Sequence, residues 1–142
     1  MKRMLGPVLA SMALAACGGP AASPQVPPAG TAQSSAAATD CGTFSLSQGD
    51  TLPDSAVQCL VSAVDAKRPA QLTATSPSVE GGPIPVTYSA GTDGSVEVII
   101  DYRQDNFGNK IRTRMTCTGP ALTMDRPTVT FALCSEPTPI RD

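Results

Sequence analysis

Residues 95–117, SVEVIIDYRQDNFGNKIRTRMTC, carry the strongest structural pattern in the chain. Four apolar side chains of its first half fall on one strand face: Val96, Val98, Ile100 and Tyr102. Glu97 and Asp101 fall on the other face. The second half repeats this opposition: Ile111, Thr113 and Met115 against Lys110, Arg112 and Arg114. Because side chains alternate across a strand, the pattern predicts strands at Ser95–Tyr102 and Lys110–Cys117, joined by a turn rich in Asp and Asn.

Shorter patterns of the same kind flank this hairpin. Ile84–Ala90 and Thr128–Cys134 each predict a strand bounded by Gly, Pro or Asn, and Gln71–Thr75 is a candidate for one more. In the last predicted strand, the threonines Thr128 and Thr130 lie on one face. The apolar residues on the other face are Val129, Phe131 and Leu133. Consecutive short strands joined by tight turns predict an antiparallel sheet with one dry and one wet face.

A helix is predicted over residues 52–67, with Thr51 as its N-cap. Its buried face is given by helical spacing: Val57, Leu60, Val61 and Val64. Lys67 and Arg68 at its C-terminal end would suit the helix dipole. We therefore predict an α+β fold, in which one amphipathic helix packs on a four- to five-stranded antiparallel meander.

The N-terminal residues are typical of an export signal. Lys2 and Arg3 precede an apolar run of about a dozen residues, which is too short to cross a bilayer but fits a signal-peptide core. Leu14-Ala15-Ala16-Cys17 resembles the lipobox of bacterial lipoproteins, in which the Cys thiol is joined to diacylglycerol and the peptide is cut before it. We expect a lipoprotein signal peptide at 1–16 and lipidation of Cys17 with palmitate-type chains. An ordinary signal peptide with a Cys by chance is the alternative.

Residues 17–40 predict a tether between Cys17 and a folded domain at 41–142. Seventeen of the 23 residues from 18 to 40 are Ala, Pro, Gly or Ser, so the segment cannot bury enough apolar surface to offset its ordering entropy. As a flexible coil it would reach about 25–30 Å. A Pro-rich partner motif is the alternative, although no PxxP with a flanking basic residue is present.

The lipobox leaves four of the five Cys for the domain: Cys41, Cys59, Cys117 and Cys134. In an exported domain four Cys predict two disulfides, whereas a zinc site would show paired C-x-x-C spacing. Cys59 lies about 200° around the helix from Val57, so the incoming segment at Cys41 is its nearest partner, which leaves Cys117 to Cys134. Strict alternation puts Cys117 and Cys134 on opposite faces, so this pairing needs a frayed end or a bulge. The three pairings stay open.

The side chains offer little for catalysis. The chain has no His, which removes Ser-His-Asp and Cys-His catalysis and every His-ligated metal site. The best polar cluster does not match an EF-hand loop and consists of ordinary turn residues: Asp101, Asp105, Asn106 and Asn109. Glu97 and Asp101 could work as an acid–base pair, or simply pair with Arg112 and Arg114 of the next strand. We predict no catalytic residue, no metal ligand and no cofactor.

Charge is mild overall and uneven along the chain. A net charge of −2 argues against a nucleic-acid partner. Residues 40–105 carry a net charge of −6 and residues 106–142 a net charge of +2. The basic strand would therefore face anionic lipid or wall polymer, or form a solvated face against its acidic neighbour.

Several short motifs resemble those of a family of small bacterial lipoproteins with a domain of unknown function. The motifs are these: Glu80-Gly81-Gly82-Pro83-Ile84, Tyr88, Val96–Asp101, Asp105-Asn106-Phe107-Gly108, Cys41-Gly42-Thr43-Phe44, Ala66-Lys67-Arg68-Pro69-Ala70, Cys117 and Cys134. The likeness covers about residues 41–135. It implies a surface-tethered, non-cytoplasmic protein in which Cys117 and Cys134 are the more typical Cys pair, and it implies no catalytic residue.

Together these patterns predict a lipid-anchored lipoprotein of the cell membrane or outer membrane, facing away from the cytoplasm. We expect an envelope binding module rather than an enzyme, whose partners are the membrane, through the anchor, and an envelope protein or wall polymer. The alternative is a small-ligand or metal-ion carrier with a pocket beside Asp101 and Asp105. A hydrolase that uses paired carboxylates is a third hypothesis and would need two acids facing one cleft.

Overall fold

The structure is a computed structural model that describes residues 37–121 and 129–141. The predicted signal peptide, the predicted lipidation site Cys17 and the predicted tether up to residue 36 lie outside the described residues. The first strand begins at Thr39, so the last residues assigned to the tether by composition belong to the sheet.

The described residues form one helix and seven strands in a single sheet. In chain order these are β1 (Thr39–Ser45), α1 (Asp54–Asp65), β2 (Ala70–Pro77), β3 (Pro83–Ala90), β4 (Val96–Asp101), β5 (Arg112–Ala121), β6 (Thr130–Cys134) and β7 (Thr138–Ile140). Along the sheet the order is β1-β2-β3-β4-β5-β6, and β7 pairs with β5. The presence of one helix beside one sheet confirms the predicted α+β class.

The sheet is mixed rather than an antiparallel meander of four or five strands, so that part of the prediction is wrong. β1 runs parallel to β2, with Thr39 opposite Ala70 and Ser45 opposite Thr75. Parallel neighbours need a crossover of a dozen or more residues, and the 12-residue helix α1 supplies it. The segment around Cys41 therefore opens a β-α-β unit, and the antiparallel part begins only with β2.

From β2 to β6 each strand pairs antiparallel with the next, as the alternation predicts. The candidate strand at Gln71–Thr75 is part of β2. Two strands were not predicted, β1 and β7. The three-residue strand β7 contains Pro139 and pairs with Arg112–Arg114 at the edge of β5. Proline is tolerated in a sheet chiefly at such edges, because it has no N–H to donate.

Alternation along β5 reverses at Gly119, which adopts φ +64°. Cys117 is buried before this point, and Pro120 is the half-buried residue after it. Cys117 lies opposite Cys134, whereas Pro120 lies opposite Phe131. A residue in the left-handed region breaks the two-residue period, and glycine adopts that region without a Cβ penalty. The break in alternation that a bond between Cys117 and Cys134 requires is therefore present.

The same reversal corrects one expectation for β6. Val129 is buried and Phe131 packs against the core, but Leu133 is 71% exposed. Leu133 lies opposite Thr118, on the near side of Gly119, so it does not share the face of Phe131.

Helix α1 is shorter than predicted at both ends. It begins at Asp54 with Pro53 as its N-cap, so Thr51 is not the cap. The residue before a proline is disfavoured in helical conformation, and Leu52 instead enters the core. The helix ends at Asp65, so Lys67 and Arg68 lie just after it rather than in its last turn.

The core lies between α1 and one face of the sheet. Cross-strand rows of apolar side chains build the sheet side: Ala70, Ala90, Val96 and Cys117, then Leu72, Tyr88, Val98 and Met115. The helix contributes Ala56, Val57, Leu60, Ala63 and Val64. Leu60, Leu72, Val96 and Cys117 are almost completely buried. The predicted helical face is thus confirmed, with Val61 only partly buried at its margin.

Two disulfides join these elements, as predicted. Cys41 of β1 bonds Cys59 of α1, and Cys117 of β5 bonds Cys134 of β6. This is the pairing that the helical position of Cys59 favours. The first bond ties an edge strand to the helix, and the second closes the last hairpin.

Candidate functional site

The carboxylate of Asp101 is engaged by Arg103 rather than open to a ligand. The Arg103 backbone N–H and Nε each donate to Asp101 Oδ1 at 3.0 Å, and Nη2 donates to Oδ2 at 2.7 Å. The hydrogen bond from the Arg103 side chain lowers the pKa of Asp101, and the nearby charge of Arg112 adds to this. The expected partner, Arg112, is therefore secondary to a residue only two positions away.

Asp105 stabilises its own loop. The Phe107 N–H donates to Asp105 Oδ1 at 3.4 Å, which is the local turn bond that Asp residues commonly form. The residue with positive φ here is Lys110, at +54°, rather than an Asn or Gly of the loop. Asp101 and Asp105 line neither of the two concavities described below.

Glu97 and Asp101 lie on the same face of β4, four residues apart. That spacing corresponds to about 13 Å along a strand, longer than the roughly 5–10 Å between the carboxylates of glycosidases. Glu97 instead accepts an ion-pair contact from Arg114 Nε at 3.0 Å. The predicted pairing of the basic strand with its acidic neighbour is thus confirmed at Arg114, where both side chains are largely exposed.

A concavity lined by apolar side chains lies on the core side of β3–β6. Its volume is about 210 Å³, and eight side chains line it: Val86, Tyr88, Val98, Ile100, Met115, Cys117, Val129 and Phe131. We call this concavity the apolar groove. No residue of α1 is among those that line it. An apolar cavity of about 150 Å³ in another protein holds benzene, so the apolar groove has room for one aromatic ring or a short alkyl chain.

Tyr88 and Phe131 define one wall of the apolar groove. Their ring centroids are 6.2 Å apart with an interplanar angle of 30°, a stacked arrangement in the favourable range for aromatic pairs. Tyr88 is 2% exposed. Burial raises the pKa of its phenol, and a hydrogen bond with the Val129 backbone partly opposes that rise. The hydroxyl is therefore neutral near pH 7 and the groove presents no charge from this wall.

A second concavity of about 320 Å³ lies beside β7. It is lined by Arg114 and by the consecutive residues Thr138, Pro139, Ile140 and Arg141. Arg114 also pairs with Glu97, and the Thr138 hydroxyl donates to the Arg114 carbonyl at 3.2 Å. The Thr138 hydrogen bond and the pairing with Arg112–Arg114 hold β7 on the sheet edge.

In the part of the chain that the structure describes, neither a metal-binding cluster nor a membrane-spanning helix is found. Within it, no group of three or more His, Cys, Asp or Glu side chains is placed to hold a metal ion. Its one helix is too short to cross a bilayer, and no membrane-spanning helix is found there.

The apolar groove was not predicted from the sequence. The alternation of Val86, Tyr88 and Ala90 along β3 is a signal for a buried face, but it does not distinguish a filled core from a concavity. The gap depends on where α1 and the turn at Gly119 leave the sheet face open, which is a long-range property.

No protein-family model, curated protein or solved structure matches this chain. The resemblance to small bacterial lipoproteins therefore stays a prediction.

Proposed function

We propose that this protein is a lipid-anchored lipoprotein of the bacterial envelope that acts by binding, and that the apolar groove is its binding element. The anchor is the proposed acylation of Cys17, followed by the tether to residue 40. The observation that carries the binding role is the apolar groove: eight apolar and aromatic side chains around about 210 Å³. Pockets that bind small molecules are largely apolar and preformed in this way.

The proposed occupant is one aromatic ring or a short alkyl group. The groove walls offer dispersion contacts and the stacked pair of Tyr88 and Phe131, and they carry no ionisable group other than the Tyr88 phenol. The group is supplied by an envelope molecule that meets the anchored domain. A freely diffusing small ligand in the groove would make the protein a carrier, with a site different from the one beside Asp101 and Asp105 that the sequence suggested.

The binding role is proposed in place of catalysis because of what surrounds the candidate carboxylates. Asp101 is bonded to Arg103, and Glu97 is paired with Arg114 on the same exposed face. Neither carboxylate lines the apolar groove. The groove and the carboxylates therefore do not form one chemical site.

The test titrates toluene into the full chain, purified with its acyl anchor in detergent, and follows methionine methyl groups by NMR. Of the five Met in the sequence, only Met115 and Met124 follow the proposed cleavage before Cys17, and Met115 lines the apolar groove. We expect toluene to shift the Met115 methyl signal in a saturable manner. Ile100→Phe, which fills the groove from β4, should abolish the shift. Ile99→Phe, at the neighbouring residue of the opposite sheet face, should leave it intact.

A Met115 signal that does not respond, or an equal response in both variants, would refute the groove as a binding element. If Ile100→Phe fails to unfold cooperatively, contacts between toluene and Met115 measured in the unsubstituted chain decide instead. The anchor is examined on the same preparation by mass spectrometry, where a mature chain beginning at a residue other than Cys17, without fatty acid, would contradict it.

A further inference from the structure

Two loops at one end of the sheet present large apolar side chains to solvent. Val79, between β2 and β3, is 90% exposed, and Phe107, between β4 and β5, is 78% exposed. Leu133 on β6 is the third strongly exposed large apolar side chain of the described residues. Pro77 lies opposite Pro83, and Asp101 lies opposite Arg112. The loops that carry Val79 and Phe107 are therefore at the same end of the antiparallel strands.

The two loops touch each other. Gly82 is buried, and a Cβ there would stand 2.9 Å from the Gln104 carbonyl oxygen and 3.1 Å from Asp105 Cα. Only glycine allows this approach of one backbone to the other without a shift of the neighbouring loop. We call the pair of loops, residues 78–82 and 103–109, the two-loop tip.

Both loops are held in shape by short-range hydrogen bonds. The Ser78 N–H donates to the Gly82 carbonyl at 2.7 Å, and the Gly82 N–H donates to Ser78 Oγ at 3.1 Å. In the second loop the Asp105 N–H donates to the Tyr102 carbonyl at 3.1 Å. The exposure of Val79 and Phe107 is therefore built into hydrogen-bonded turns that lie against each other.

We propose that the two-loop tip inserts into the interfacial layer of a lipid bilayer. Its side chains follow the order of that layer, since the apolar groups of Val79 and Phe107 are the most exposed, while the half-exposed phenol of Tyr102 and the exposed cation of Lys110 lie nearer the sheet. Tyrosine and basic side chains are enriched at the headgroup level, and apolar side chains bury below it.

The charges of the tip favour a bilayer interface without demanding an anionic one. Within the tip, Glu80 and Asp105 supply two carboxylates and Arg103 supplies one cation, which is already engaged by Asp101, while Lys110 lies just beyond the tip. A zwitterionic membrane is therefore the matched surface, because anionic lipid would repel the excess carboxylate. Two separate, exposed apolar side chains suit insertion into a fluid layer.

The bilayer is within reach if the proposed anchor holds, and this step rests on the proposed function. The folded chain enters at Thr39, opposite Ala70, whereas the tip lies beyond Pro77 at the other end of β2. Eight strand residues span about 26 Å. A coil of the length between Cys17 and residue 36 reaches about 22–27 Å, so the domain can turn its far end toward the membrane that anchors it.

The experiment uses tryptophan as a reporter, because the chain has none of its own. Phe107→Trp, Val79→Trp and the control Leu133→Trp are each made in the full, acylated chain. Each is placed in vesicles of phosphatidylcholine, with and without brominated acyl chains. We expect brominated lipid to remove most of the fluorescence from positions 107 and 79, with emission shifted to shorter wavelength. At position 133 it should remove almost none.

Fluorescence at 107 that stays unshifted and is quenched by acrylamide in water would overturn the proposal and leave the tip to a protein contact. Equal quenching at 133 would also overturn it, since the tip would then have no special role. Flotation with the vesicles reports the anchor separately, so failure of the anchor and failure of the tip give different results. All three substituted positions are exposed, and circular dichroism checks that each variant keeps its fold.

Discussion

Lys67 holds a backbone conformation that usually belongs to glycine. Its φ is +50°, just after the end of α1. The Lys67 N–H donates to the Val64 carbonyl at 3.0 Å, and the Arg68 N–H donates to the Ala63 carbonyl at 2.9 Å. This is the Schellman pattern of helix ends, in which the left-handed residue is most often Gly. The backbone bonds therefore outweigh the steric cost of a side chain at this position.

Lys67→Gly should stabilise the domain by up to about 1 kcal/mol, because glycine removes the Cβ penalty of the left-handed region. Urea unfolding of the full chain measures the change. Lys67→Ala is the matched control, since it removes the charge near Asp93 but keeps the Cβ, and it should give no gain. A gain of equal size in both variants would assign the effect to charge rather than to backbone strain.

The pKa of Asp101 gives the domain a defined acid sensitivity. The pKa is lowered by the hydrogen bond from Arg103, so the contact stabilises the folded state only while the carboxylate is ionised. That contribution is present above the ordinary aspartate pKa of about 3.9 and is lost as the pH falls through the lowered value.

Asp101→Asn should therefore lower stability at pH 7 by at most about 1 kcal/mol, because the pair is partly exposed. The difference from the unsubstituted chain should shrink as the pH falls from 5 to 2. Denaturant unfolding across that range checks the slope, and Arg103→Gln should show the same slope. A constant difference at every pH would contradict the assignment.

Strand β1 depends on the helix as much as on the sheet. It is an edge strand with β2 as its only neighbour among the described strands, and Cys41 bonds it to Cys59 of α1. The bond closes a loop of 18 residues, for which the chain-entropy account gives about 3 kcal/mol. The β-α-β unit is thus closed covalently at the point where the parallel pairing begins.

The double variant Cys41→Ala with Cys59→Ala should lose about 3 kcal/mol of unfolding free energy. In hydrogen exchange the β1 amides should lose protection before those of β3 and β4, because local opening starts at weakly held elements. The control, Cys117→Ala with Cys134→Ala, removes the bond that closes a loop of 17 residues. In this control, the protection of the β1 amides should fall only as much as the unfolding free energy of the whole domain falls. Uniform loss of protection in the first variant would argue against this role for the bond.

At the scale of the whole molecule, scaffold and proposed binding elements occupy different parts of the chain. The β-α-β unit from Thr39 to Pro77 supplies the helix and the first half of the core. The apolar groove and most of the two-loop tip belong to the strands and loops that follow. A domain of about 100 residues buries a modest fraction of its surface, and the two disulfides offset part of that limit.

Charge is organised at this scale as well. The acidic first part and the basic last part of the domain meet along β4 and β5, where Glu97 pairs with Arg114. The interpretation of the basic strand as a solvated face against an acidic neighbour is supported by this pair. The proposed membrane contact is assigned to the loop ends rather than to that strand.

Local periodicity was enough to predict the helix face at Val57, Leu60 and Val64 and the antiparallel strands from β2 to β6. Those features repeat over two to four residues, so neighbouring positions carry the signal. Three-dimensional packing was needed for the parallel pairing of Thr39–Ser45, the reversal at Gly119, the apolar groove and the contact between the loops at Gly82 and Gln104. Each of these joins segments far apart in the chain, and the polar strand β1 has too few apolar residues to show in the pattern. The physical reason is that a strand's partner is chosen by the surface it buries, which no single segment contains.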